Sequence, residues 1–208
     1  SPDGQWVAHV RVSLDRLKND YLRNIWLAPT DGGDPIQLTR SGKDTEPRWS
    51  PNGKWLAFTS VHDDESQIYL LRVVAPGGQA LQLTAMPNGA SSPSWSPDST
   101  QIAFLSPTTA HEREREDNPP ENDRPQDELE TKHRKERRDY DEKKRLDPRI
   151  HTQLPYRAGT AFLDDRFKQV YIMPIDENLP SDALKPRRLT DIDADCTNHK
   201  WTPDGQSI

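Results

Sequence analysis

The sequence predicts an all-β protein, a partial β-propeller of about three four-stranded antiparallel blades plus the start of a fourth. Three recurring elements predict it. The first reads Ser1-Pro-Asp-Gly, Ser50-Pro-Asn-Gly, Ser96-Pro-Asp-Ser and Thr202-Pro-Asp-Gly, with Trp49, Trp95 and Trp201 just before the last three. The second reads Asn24-Ile-Trp-Leu27, Gln67-Ile-Tyr-Leu70 and Gln169-Val-Tyr-Ile172, and the third Gln37-Leu-Thr39, Gln82-Leu-Thr84 and Arg188-Leu-Thr190. From each Leu-Thr to the next Ser/Thr-Pro the offset is 12, 13 and 13 residues. Self-similarity at a fixed period marks stacked repeat architectures.

Each repeat divides into four short strands. The segment ending in Trp is the first. Pro-Asp-Gly or Pro-Asn-Gly then makes a tight turn, because Pro presets φ, Asp or Asn bonds locally and Gly accepts positive φ. The second strands run from Trp6 to Val12, Trp55 to Ser60 and Gln101 to Leu105. Their apolar residues are consecutive (Leu56-Ala-Phe58, Ile102-Ala-Phe104), so both sheet faces are covered, as stacked blades require. The Ile-Trp/Tyr-Leu segments are the third strands and the Leu-Thr segments the fourth, with Gly32-Gly33 and Gly77-Gly78 at the turns between them. The repeated Trp residues are expected to fill the space between blades, the alternative being a ligand platform. The blades are expected at approximately 1–40, 45–84 and 91–190, the last with a charged insertion at 106–150, and an incomplete one at 196–208. The chain starts and ends inside repeat motifs, so it is expected to be a piece of a longer protein.

The chain has 208 residues, 31% hydrophobic and 30% charged, with net charge −6 and mean hydropathy −1.01. Much of that polarity sits in one place. Residues 111–147 hold 14 acidic and 11 basic side chains, with Leu129, Tyr140 and Leu146 as the apolar ones. Without them the composition suits a small-cored all-β protein. Helix-favouring pairs occur there (Glu128 with Lys132, Glu130 with Arg134). No apolar stripe accompanies them, so a solvated insertion is expected, with a lid or a subunit-contact arm as the alternative. Interleaved acids in the basic run argue against nucleic acid. No apolar run approaches the length of a membrane span. The lone Cys196 excludes an intrachain disulfide and is expected to be buried. Compartment stays open, with the cytoplasm favoured.

Catalytic signatures are missing from these residues. No Gly-x-Ser-x-Gly occurs; Gly89-Ala-Ser-Ser-Pro93 fails at its last position. Asp191, Asp193 and Asp195 begin like a calcium loop, but Cys196 and Thr202 occupy the positions of its Gly and Glu. His9 takes the repeat position of Phe58 and Phe104 and is expected to be an interior histidine. No metal or cofactor is expected, and no catalytic residue.

The Trp-Ser-Pro-Asp/Asn-Gly, Ile/Leu-Ala-Phe, Ile-Tyr-Leu and Gln-Leu-Thr motifs together resemble the WD-like repeat shared by TolB propellers and the N-terminal propellers of the prolyl oligopeptidase family. Leu154-Pro-Tyr-Arg157, Phe162-Leu-Asp164 and Gln169-Val-Tyr-Ile172, following a charged insertion, resemble the acylaminoacyl-peptidase and dipeptidyl-peptidase-like branch of that family. The resemblance implies a serine peptidase in which a propeller gates the access of short peptides to a C-terminal α/β-hydrolase domain that carries the catalytic residues. It implies as partners that domain and short peptide substrates, and self-association is a further expectation. Substrate-channel candidates are Arg157, for a carboxylate of the substrate or an acid of the hydrolase domain, and Asp164 and Asp165, for a substrate amino terminus. The alternative is that Arg157 pairs with Asp164 and fixes a turn. The competing function is a TolB-like protein–protein interaction module with no attached enzyme.

Overall fold

The computed structural model describes residues 1–17, 19–63, 65–73, 79–118, 132, 157–158, 161–162, 165–175 and 185–208. It comprises two compact units, Ser1–Thr108 with Arg166–Ile208, and Thr109–Asp165. In chain order the strands are β1 (Trp6–Asp15), β2 (Asp20–Pro29), β3 (Ile36–Gln37), β4 (Asp44–Trp49), β5 (Trp55–His62), β6 (Glu65–Arg72), β7 (Leu81–Gln82), β8 (Ser91–Trp95) and β9 (Gln101–Thr108). Helix α1 (Ala110–Asp117) follows, then β10 (Arg157–Ala158), β11 (Ala161–Phe162), β12 (Phe167–Pro174) and β13 (Arg187–Arg188).

The first unit is three antiparallel sheets with strand orders β1-β2-β3, β4-β5-β6-β7 and β8-β9-β12-β13. Second and third strands meet in one register in all three: Ala8 opposes Leu27, Ala57 opposes Leu70, and Ala103 opposes Ile172. One residue further on, the cross-strand pairs are His9 with Trp26, Phe58 with Tyr69 and Phe104 with Tyr171. The last two pairs stack, with ring centroids 5.9 and 5.8 Å apart. The loops between these strands differ greatly. Residues 16–19 and 63–64 serve in the first two sheets, whereas the whole stretch 109–166 lies between β9 and β12. The charged insertion therefore replaces a hairpin loop and leaves the ladder intact.

The Ser-Pro-Asp-Gly motif is held by its own side chains. Ser50 Oγ donates to Asn52 Oδ1 and accepts from Trp55 N–H, while Asn52 Oδ1 also accepts from Lys54 N–H. Ser96 with Asp98, Ser1 with Asp3 and Thr202 with Asp204 repeat the arrangement. Bonds from Ser1, Ser96 and Thr202, with backbone N–H groups beside them, hold the Asp3, Asp98 and Asp204 carboxyls below their ordinary range. The fourth turn residue has φ of +72° at Gly4, +71° at Gly53 and +70° at Gly205. Ser99 holds that place at +64°, and its hydroxyl accepts from Asn52 N–H of the preceding turn, 3.0 Å away.

The Leu-Thr motif works differently from a plain fourth strand. Only the two residues Ile36–Gln37, Leu81–Gln82 and Arg187–Arg188 join the ladder. Each Thr hydroxyl then accepts the next third-strand N–H: Thr39 from Ile25, Thr84 from Ile68, Thr190 from Val170, all at 2.9 Å. Thr84 and Thr190 also donate to Gln67 and Gln169. The Gln67 amide closes a second bond pair with the Met86 backbone, N–H to Oε1 and Nε2 to carbonyl. Gln169 does the same with Ile192. A buried glutamine thus stands in for strand-edge backbone, which explains why Gln and Thr recur together. Asn24, one methylene shorter, instead caps Gly42 N–H.

Two apolar layers form between the sheets. Ala8, Ile25 and Leu38 of the first meet Leu56, Phe58, Tyr69, Leu71 and Trp49 of the second. The opposite face of the second, Ala57, Ile68, Leu70 and Leu83, meets Ile102, Phe104, Tyr171, Met173 and Trp95 of the third. Fully buried Leu56, Ile68, Ile102 and Phe104 each contribute about 1.5–3 kcal/mol. Trp49 and Trp95 pack between blades, and the N–H groups of Trp95 and Trp201 have a repeated partner. Trp95 Nε1 donates to Arg48 O at 3.1 Å, and Trp201 Nε1 to Ser94 O at 3.0 Å.

Some details depart from the sequence reading. Residues 196–208 form the Thr-Pro-Asp-Gly turn but no strand, since a first strand needs a second beside it. Cys196 is half-buried, its Sγ 3.5 Å from Thr190 Oγ1, and His9 is half-buried. In the second unit, α1 is an unexpected helix. Thr109 Oγ1 accepts from Glu112 N–H while the Glu112 carboxylate accepts from Thr109 N–H, a reciprocal N-cap. The pairs at Glu128–Lys132 and Glu130–Arg134, and Gly77-Gly78, lie outside the described residues.

Candidate functional site

Polar chemistry in the first unit gathers on β4 and β8, the first strands of adjoining sheets. Each bulges at the third residue before its Trp. Glu46 and Ser92 have φ of +53° and +56° there, as does Asn198 at +54° in the fourth repeat. A non-glycine residue in this region is strained, by about 1–3 kcal/mol. The strain turns Glu46 toward its neighbours. Its carboxylate accepts from Thr59 Oγ1 at 3.0 Å, from Ser92 N–H at 2.8 Å and from Ser92 Oγ at 3.1 Å. One acidic side chain thereby ties two blades together.

His199 completes this row. It occupies the repeat position of Pro47 and Pro93. Neither ring nitrogen has a well-directed hydrogen-bond partner among the described residues. Burial pushes the imidazole below its ordinary value of 6.5, opposed by the backbone of Ala103 and Ser92 and by the Glu46 charge.

At the start of β4, Asp44 is 1% exposed where the other repeats carry Ala90 and Cys196. Ser60 Oγ donates to Asp44 Oδ1 at 2.6 Å and lies 3.2 Å from His62 Nε2. These are the residue types of a hydrolytic triad in the wrong order. The single hydroxyl proton points at the carboxylate, so His62 meets Ser60 as a donor and cannot serve as its base. The arrangement orients a hydroxyl and does not activate a nucleophile.

Of the sequence-predicted residues, Arg157 lies in β10 opposite Phe162 of β11. Asp165 is exposed, and Asp164 lies outside the described residues. The row of Glu46, Ser92 and His199 escaped the sequence reading. Its signal was the break in the first-strand repeat, Glu-Pro, Ser-Pro, Asn-His. Asp195 caps Lys168 N–H at 2.8 Å, and Asp191 lies 3.5 Å from Arg188. Among the described residues no group of three His, Cys, Asp or Glu is placed to hold a metal ion. Among them also, no helix is long and apolar enough to cross a membrane.

Four-stranded blades with this inter-blade Trp packing define a β-propeller segment. The family model described as PD40, TolB beta propeller domain, matches residues 1–118, and the chain belongs to that family. A curated relative, the uncharacterized peptidase YuxL of Bacillus subtilis, is 40% identical over 104 residues, 49% of this chain and 16% of YuxL. Among solved structures, an acylaminoacyl peptidase of Pyrococcus horikoshii superposes with a TM-score of 0.56 at 15% identity, over 88% of this chain and 24% of that one. TolB of Acinetobacter baumannii superposes at 0.53 and 17% identity, over 96% and 34%. The chain thus spans about a sixth of the curated relative and about a quarter of the peptidase structure. Peptidase propellers and TolB propellers share this fold.

Proposed function

We propose that this chain is a non-catalytic propeller segment of a serine peptidase of the acylaminoacyl-peptidase and dipeptidyl-peptidase-like kind, gating peptide access to a C-terminal α/β-hydrolase domain. The observation that carries the reading is the 40% identity to a peptidase over about half of the chain. The blade divisions at about 1–40, 45–84, 91–190 and 196–208 belong to the same proposal. So do short peptides as substrates and Arg157, Asp164 and Asp165 as residues facing them. A planar guanidinium at Arg157 suits a bidentate carboxylate contact. The competing reading, an interaction module with no attached enzyme, draws on the TolB family match.

Arg157→Ala in the longer protein tests the channel role. The proposal expects kcat/KM on short peptides to fall at least tenfold with Tm unchanged. An equal loss of stability with normal turnover per folded molecule would make Arg157 a turn residue only.

A further inference from the structure

The tripeptide Pro-Asn-Gly occurs twice, as Pro51-Asn52-Gly53 and as Pro87-Asn88-Gly89. An asparagine followed by glycine is prone to lose its side-chain amide, because glycine has no side chain to shield its nitrogen. The Gly nitrogen attacks Asn Cγ, and the Cγ–Nδ2 bond breaks. Nδ2 takes the proton of the Gly nitrogen and leaves as ammonia. Water then opens the cyclic imide, and breaking its Cγ–N bond leaves an aspartate. The two sites share their tripeptide, so a large difference between them in the folded protein comes from the fold.

Asn52 is exposed in the turn between β4 and β5, where water reaches it. Every bond of its side chain runs through Oδ1, which accepts from Ser50 Oγ at 2.7 Å and from Lys54 N–H at 3.0 Å. These two donors sit where negative charge builds as Gly53 N adds to Cγ, in the manner of an oxyanion hole. The departing Nδ2 makes no hydrogen bond among the described residues. The Gly53 nitrogen is held by one bond, to Ser50 O at 2.9 Å, and a Cβ on Gly53 would meet nothing nearer than Pro2 at 3.9 Å. Asn88 is placed differently. Gly89 is buried, and a Cβ there would lie 2.9 Å from Ser66 Oγ and 3.0 Å from Ser66 O. Its N–H donates to Met86 O at 3.1 Å, its carbonyl accepts from Ser106 Oγ at 2.7 Å, and Ala90 N–H donates to Ser66 O at 2.6 Å. Imide formation rotates the Asn88–Gly89 peptide, and these contacts with β6 and β9 hold it in place.

We propose that Asn52 is a site of spontaneous deamidation, that its conversion to aspartate completes the repeat, and that the fold protects Asn88. The sister turns carry Asp3, Asp98 and Asp204 in the place of Asn52. Ser96 Oγ and Thr100 N–H hold the Asp98 carboxylate as Ser50 Oγ and Lys54 N–H hold Asn52 Oδ1. Conversion makes both bonds charge-assisted and gives up none, since Nδ2 contributed none. It adds one negative charge to the formal −6 of the chain.

Incubation of the purified protein in mildly alkaline buffer, folded and in urea, tests this. Mass spectrometry of the peptides holding each site reads conversion as a gain of one mass unit. In urea the two asparagines are expected to convert at similar rates. In the folded protein Asn52 is expected to convert roughly tenfold faster than Asn88 or more, since Asn88 reacts only through local opening. Asn52→Asp, which is the product itself, is expected to melt no lower than the native chain. Three results would each overturn the proposal. They are equal conversion of Asn88 and Asn52 in the folded protein, no conversion of Asn52 there over the time that completes it in urea, or a lower Tm for Asn52→Asp.

Discussion

Replacing Gln67 by Leu removes the side chain that ends the second blade's ladder. Gln67 is 7% exposed, and its partners Thr84 and Met86 are 2% and 7% exposed. The Met86 N–H has its bond to Gln67 Oε1 at 3.0 Å, so the substitution leaves a buried donor unpaired, at about 1–3 kcal/mol. Thr84 and the Met86 carbonyl each lose one bond, at about 0.5–1.5 kcal/mol apiece. Thr84 still accepts from Ile68, and the Met86 carbonyl still accepts from Gly89. Leucine returns about 1 kcal/mol through its extra apolar surface. The net expectation is a loss of about 3 kcal/mol, a large share of the 5–15 kcal/mol typical of a folded domain. It would lower Tm by about 6–12 °C. Urea unfolding followed by circular dichroism reads the change, with Gln82→Leu as control. Gln82 is exposed and makes two bonds, from Nε2 to Thr84 O at 2.8 Å and from Tyr69 O–H to its Oε1 at 3.2 Å, the latter in contact with solvent, so its loss is expected to stay near about 1 kcal/mol. Equal effects from the two variants, or less than about 1 kcal/mol for Gln67→Leu, would refute the idea that this amide replaces strand backbone.

Three further outcomes are expected. His199 is held below its ordinary value of 6.5, so the folded state favours the neutral ring; its stability is present above the unfolded pKa and lost as pH falls through the folded one. Melting temperature should therefore drop between about pH 7.5 and about pH 5 more steeply in the native chain than in His199→Pro, which carries the residue of the sister repeats; parallel slopes would show that His199 is not the group responsible. Ser99→Ala keeps the positive φ and loses the bond from Asn52, at about 1–2 kcal/mol, whereas Ser99→Gly relieves the φ and should fall within about 0.5 kcal/mol of the native chain; chemical denaturation of both variants checks the ordering. The chain alone should not hydrolyse short acyl-peptides, and product release blocked by a serine-directed inhibitor would contradict that.

The sequence carried most of the blade structure because each repeat states its constraints in short local words. Ser-Pro-Asp-Gly encodes a turn closed by its own hydroxyl and carboxylate, and Thr202 for Ser keeps every bond of it. Consecutive apolar residues on the second strands signalled two covered faces, and the aromatic pairs Phe58–Tyr69 and Phe104–Tyr171 follow from a shared register. Gln67 and Gln169 were visible as repeated letters, but their partners Met86 and Ile192 lie 19 and 23 residues downstream in irregular backbone, which no period marks. The bulges were hidden for another reason: Glu46 is not a residue that favours positive φ, so its strain is imposed by the pairing of β4 with β5. Helix α1 was legible in Thr109 and Glu112, whose spacing is that of a reciprocal N-cap, but its charged residues carry no apolar stripe to mark a helix. Arg157, Asp164 and Asp165 rest on resemblance, and their roles are part of the proposal.

Labelling with a fluorophosphonate probe tests the central claim most directly. Applied to the longer protein that contains this segment, and followed by peptide mass mapping, it reads where an activated serine lies. The account predicts one labelled serine, in a Gly-x-Ser-x-Gly sequence on the C-terminal side of these 208 residues, and no label on Ser60 or any other serine within them. A labelled serine inside the segment, or a longer protein that folds, binds its partners and takes up no label, would contradict it.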